Sequence, residues 1–65
     1  MKPLTWKQRR LVQMLANGLK AKEIARELFI EPASVNDMVY RLRVQLNAKS
    51  LPHIVAIAMR TGQIE

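Results

Sequence analysis

The chain has 65 residues, 49% of them hydrophobic and 25% charged, with no cysteine and a formal net charge of +6. That length supplies one small core, removing only about 60% of the unfolded surface from water, and leaves nothing for a second core or an appended sensor. Without cysteine there is no disulfide or thiolate metal site, and the longest apolar run, Ile54 to Met59, is far short of the ~20 residues that span a bilayer.

The N-terminus lacks the charged-then-apolar layout of a signal peptide, so a cytoplasmic protein is expected. The charge is lopsided. Residues 1–26 carry seven basic groups against Glu23 alone, whereas residues 27–65 carry four of each sign. A small domain with a pI of about 10.6 attracts polyanions, and nucleic acid is the usual intracellular one. The alternative is a surface kept soluble by lysine and arginine. A membrane surface fits less well, because no segment pairs a basic face with a bulky aromatic one.

Four helices are predicted in chain order. Thr5 and Gln8 have the spacing of a capping box, and Leu11, Val12, Leu15 and Ala16 recur at helical spacing until Asn17-Gly18, a C-terminal signal. This predicts a helix over about 5–17. A shorter one fits 21–28, with Ile24, Ala25 and Leu28 inward, followed by a Phe29-Ile30-Glu31-Pro32 turn. Proline suits a first helical turn, where its missing amide hydrogen would have had no partner, so a third helix is predicted over 32–46.

That third helix has the clearest pattern. Val35, Val39, Leu42 and Leu46 fall at i, i+4, i+7 and i+11 as one core stripe, with Met38 at its edge. The opposite side carries Ala33, Asn36, Asp37, Tyr40, Arg41 and Val44, a mixture of amide, carboxylate, phenol and guanidinium groups. Ser50 can cap a fourth helix over 51–61, with Pro52 in its first turn and Gly62 beyond its end. Its apolar residues cover more than one face, so some are expected at a second copy of the chain. Nothing reads as a strand, and the fold class is all-α over 1–65. Two helices joined by a short turn, the second with a polar outward face, match a helix-turn-helix, whose second helix enters the major groove.

Leu4-Thr5, Ala16-Asn17-Gly18-Leu19, Lys22-Glu23-Ile24-Ala25, Leu28, Ile30, Ser34-Val35, Leu46, Ala58 and Gly62 together resemble the LuxR-type (GerE/FixJ/NarL-like) DNA-binding domain. The match runs without a gap from Leu4 to Ile64. The resemblance implies a compact four-helix domain from a bacterial or phage transcription regulator. It would bind double-stranded DNA as a homodimer, with helix 32–46 reading bases and helix 51–61 at the dimer contact. RNA polymerase or another transcription regulator is a further partner class. This chain departs from the family at Lys20 and Glu31, where serine or threonine caps are usual. It departs again at Asn36, Met38, Gln45 and Leu51, where basic residues or histidine are common, and Asp37 adds a negative charge.

By the resemblance, Asn36, Asp37 and Tyr40 hold the base-reading positions. Asn36 suits adenine N6 and N7, Asp37 suits cytosine N4, and Tyr40 a phosphate or a thymine methyl. The alternative for all three is plain solvation of the helix, and for Asp37 pairing with Arg41. Lys20, Lys22, Arg41, Arg43 and Lys49 are candidate phosphate contacts, and Ser34 either joins them at the helix N-terminus or caps locally. Ile54, Val55, Ala58 and Met59 are the candidate dimer contact. Trp6 is expected to shield the core, and His53 to sit in the first turn of helix 4 without metal. No cofactor is expected. No nucleophile, base and acid set or phosphate cradle occurs, so the chain reads as not an enzyme.

Two other readings compete. One is a protein-interaction module that keeps the fold and modulates another transcription regulator by heterodimerisation through helix 51–61. The other is a sigma-factor region-4 fragment, which shares the Glu-Ile-Ala and Ser-Val spacing but does not normally continue into the Ala58…Gly62 helix. With no receiver or ligand-binding domain in these residues, control is expected from abundance, a partner, or a region outside them.

Overall fold

A computed structural model describes residues 4–64. Met1, Lys2, Pro3 and Glu65, which the expected 1–65 domain includes, lie outside the described residues. The fold is all-α, with α1 at Trp6–Ala16, α2 at Ala21–Leu28, α3 at Pro32–Gln45 and α4 at Leu51–Arg60. Each boundary falls within one residue of the expectation, because the caps that set it are written locally.

Thr5 caps α1 as a complete capping box. Its hydroxyl accepts from the Gln8 amide at 3.1 Å, and its own amide donates to Gln8 Oε1 at 3.0 Å. Gln8 Nε2 also donates to Gln45 Oε1 at 3.0 Å, joining the start of α1 to the end of α3. Ser50 Oγ accepts from the His53 amide, and His53 Nδ1 accepts from the Lys49 amide at 2.9 Å. Only the first half matches the box on α1, because the amide that His53 accepts belongs to Lys49, one residue before the N-cap. α2 has only half a box, since an ammonium cannot accept: the Lys20 amide donates to Glu23 Oε1 at 2.9 Å. Glu31 makes no side-chain cap on α3, where Pro32 occupies the first turn.

All four helices stop in the same way. After each, a residue with positive φ turns the chain, and the following amide reaches back five residues. Leu19 bonds Met14 O, Ile30 bonds Ala25 O, Ala48 bonds Arg43 O and Gln63 bonds Ala58 O, all at 2.9–3.1 Å. The turning residues are Gly18, Phe29, Asn47 and Gly62. Apart from its chain neighbours, nothing lies within 4 Å of a Cβ added at Gly18, so its φ of +88°, and not space, is what requires glycine there.

The core is built from Leu4, Leu11, Val12, Ile24, Ala25, Val35, Leu42, Leu46, Ile54, Ile57, Ala58 and Ile64, with no buried polar side chain among the described residues. α2 packs on α3, α1 on α4, and α3 more lightly on α4. The Leu4 amide donates to Gln63 Oε1, holding the chain's first described residue beside the end of α4. Three expectations change. Val39 is half-buried and packed against the core instead of inside it. Leu28 is likewise half-buried. Trp6 is 62% exposed and does not shield the core. As the first residue of α1, it points almost opposite to Leu11 and Val12 at 100° per residue.

Candidate nucleic-acid interface

The core stripe of α3 dictates what the helix offers to solvent. With Val35, Leu42 and Leu46 buried, the residues about 180° away face outward. Ala33, Asn36, Asp37, Tyr40, Arg41 and Val44 are all exposed, so the outward face is the one the spacing predicts. It also includes an exposed apolar residue, Val44, at 62%.

Two contacts organise this face. Arg41 Nε lies 3.0 Å from Asp37 Oδ2, one turn apart, with both side chains more than half exposed. An exposed i,i+4 pair stabilises a helix by only about 0.2–0.5 kcal/mol, so either partner is readily recruited elsewhere. Arg43 lies over the Tyr40 ring, 5.9 Å from its centroid, at the outer limit of a cation–π contact. The phenol is thereby flanked by one cation, and the carboxylate is offset by another. Asn36 is exposed beside them.

The remaining candidates lie on other elements. Ser34 is exposed in the first turn of α3. Its amide and that of Val35 both donate to the Glu31 carbonyl, at 2.9 and 3.3 Å, while its hydroxyl faces solvent. Lys20 and Lys22 stand exposed at the start of α2, and Lys49 in the α3–α4 link. Among the described residues, Asp37–Arg41 is the one ion pair, so none of these three lysines is tied to a carboxylate.

On α4 the structure revises the expected contact set. Ile54 and Ala58 are fully buried within the chain, because they share a face with Ile57 at i+3 and i+4 spacing. A second copy cannot reach them. Val55 is half-buried and Met59 is 54% exposed, and with Leu51 (44% exposed) they form a stripe at i, i+4 and i+8. Leu51 and Val55, but not Met59, line a shallow groove of about 430 Å³ shared with Leu15 and Leu19. Leu51 is the exposed member of this stripe that the sequence reading left out, although its spacing from Val55 was visible.

Sequence reasoning also missed a second apolar groove, of about 290 Å³, between the start of α1 and the α2–α3 turn, lined by Trp6, Phe29 and Met38 among others. Phe29 is 95% exposed, and its place directly after α2 was the available signal. No helix among the described residues is long and apolar enough to cross a membrane.

Comparison with known proteins agrees with this architecture. The transcriptional regulatory protein FixJ of Azorhizobium caulinodans is 39% identical over 61 residues, 91% of this chain and 28% of its own length. The uncharacterized transcriptional regulatory protein YxjL of Bacillus subtilis is 30% identical over 63 residues, 97% of this chain and 29% of its own length. The chain thus spans less than a third of either relative. The family model described as bacterial regulatory proteins, luxR family, matches residues 2–58, and with it the four helices and the helix-turn-helix of α2 and α3 find their place: the chain belongs to the LuxR family of bacterial regulatory proteins.

Proposed function

We propose that the chain binds double-stranded DNA in transcription regulation, with α3 in the major groove. The observation that carries this reading is the outward face of α3, exposed along its length and furnished with Asn36, Asp37 and Tyr40 in a chain of net charge +6. Asn36 reads adenine through its amide, Asp37 accepts from cytosine N4, and Tyr40 meets a phosphate or a thymine methyl. Lys20, Lys22, Arg41, Arg43 and Lys49 supply counterion-releasing contacts, and the Ser34 hydroxyl a neutral one. Two copies meet through Leu51, Val55 and Met59 on α4, placing two α3 helices on a two-fold site. Selection from a random duplex pool tests this: the pool should converge on an inverted repeat, and Asn36→Ala and Tyr40→Ala should relax one position per half-site. A pool that stays random overturns the base-reading assignment.

A second reading is favoured by the Asp37–Arg41 pair, which leaves these two charges of the α3 face in balance while the α4 stripe stays apolar. In it the chain pairs with another transcription regulator through α4 and modulates that protein. Substitution of Leu51 and Met59 separates the two, abolishing regulation in either case but leaving monomeric DNA binding only in the first.

A further inference from the structure

We propose that the groove between the start of α1 and the α2–α3 turn docks an acidic, apolar-faced segment of a partner protein. Trp6 and Phe29 take its apolar side chains, and Lys7 and Arg10 its carboxylates. The inference does not depend on DNA binding.

Phe29 is the first argument. Of the four left-handed positions that end the helices, two are glycine and one is asparagine, residues for which that conformation is cheap. The other is Phe29, at φ 58°. A bulky side chain there is strained, and glycine would make the same turn. Phe29 nevertheless exposes nearly all of its ring to water. Two unfavourable features coincide at one residue, and neither serves the fold. Trp6, also largely exposed, lines the same groove. Two neighbouring aromatics with their faces in water are characteristic of a contact surface.

Charge identifies the occupant. Lys7 and Arg10 line the groove, and Glu27 lies opposite on α2. None of the three forms an ion pair among the described residues. Two unpaired cations beside an apolar floor complement a segment whose apolar side chains are bordered by carboxylates. A second copy is a poor fit, since each copy carries +6. DNA is a poor fit as well. Met38, which lines the groove, lies about 120° around α3 from the centre of its outward face.

Trp6 is the single tryptophan, so its emission reports on the groove directly. The folded chain is titrated with a 15-residue peptide carrying leucine and phenylalanine at i, i+4 and i+7 between glutamates. Controls are the same peptide with lysine for glutamate, and a glutamate peptide with alanine for the apolar residues. The expected result is a saturable blue shift with the acidic apolar peptide, at least tenfold tighter than with either control and unchanged when duplex DNA is present. Phe29→Gly, which keeps the turn, should weaken it at least tenfold with an unchanged helical circular dichroism signal. Lys7→Glu with Arg10→Glu should reverse the preference toward the lysine peptide. No shift, or an equal response to the charge-reversed peptide, overturns the proposal. So does a shift produced by protein concentration alone, which would assign the groove to a second copy. Displacement of the peptide by duplex would assign it to DNA and overturn it equally.

Discussion

Asp37 and Arg41 are paired across one turn of α3, carboxylate to guanidinium at 3.0 Å, on the face that points away from the core. The pair withdraws a cation from the face that would meet phosphates and adds an anion beside it. Because exposed pairs of this kind are worth well under about 1 kcal/mol, it governs binding far more than folding. Asp37→Asn should therefore leave the melting temperature within about 3 °C. It should strengthen binding to non-specific duplex and steepen the salt slope by about one contact. Anisotropy across a salt series checks both, and an unchanged slope would mean that Arg41 does not reach phosphate.

Leu42 and Val44 lie two positions apart on α3 and face opposite ways, one buried and one 62% exposed. Leu42→Ala should cost about 2–5 kcal/mol, enough to unfold much of a chain this small. Val44→Ala should change stability by less than about 0.5 kcal/mol. Urea denaturation followed by circular dichroism distinguishes them, and comparable losses would contradict the assigned rotation of α3.

The helix termini make opposite predictions for two residues of like backbone. Gly18→Ala should destabilise by about 1–2 kcal/mol from φ alone, since nothing crowds the added methyl. Phe29→Gly should stabilise by about 0.5–1 kcal/mol, the relief of left-handed strain exceeding the entropy cost of glycine. Thermal melts of the two variants should move in opposite directions.

His53 accepts the amide of Lys49, one residue before the α4 N-cap, through Nδ1. His53→Gln keeps an acceptor within reach of that amide and should keep wild-type stability. His53→Ala should lose about 0.5–1.5 kcal/mol, the net worth of one hydrogen bond. Equal melting temperatures for the two would show that this hydrogen bond contributes nothing.

Most of the fold was legible because its determinants are local. Thr5 with Gln8, Asn17-Gly18, Pro32 and Ser50 each mark a helix end within a few residues, and the α3 stripe marks its rotation. The rest required tertiary context. α4 is apolar on two faces, and spacing alone cannot say which is inward, so Ile54 and Ala58 were placed with Val55 and Met59 at the expected contact. Trp6 was assigned by residue type, although its register relative to Leu11 and Val12 already turned it outward. Phe29 was recognised as a turn residue, but its exposure and nearness to Trp6 depend on how α1 lies against α2 and α3. At the candidate site, the outward set on α3 followed from periodicity. The positions of Lys20, Lys22 and Lys49 relative to it depend on packing between helices and on loop geometry that no spacing encodes.

DNA binding is the central claim, and its most direct test is anisotropy of a labelled generic duplex titrated with the folded chain at several salt concentrations. Each phosphate contact lowers the log–log slope by about 0.9. With three or more of Lys20, Lys22, Arg41, Arg43 and Lys49 engaged, the slope should be about −3 or steeper per protomer. A folded chain that binds no duplex at low salt, or binds with a slope near zero, would contradict the account.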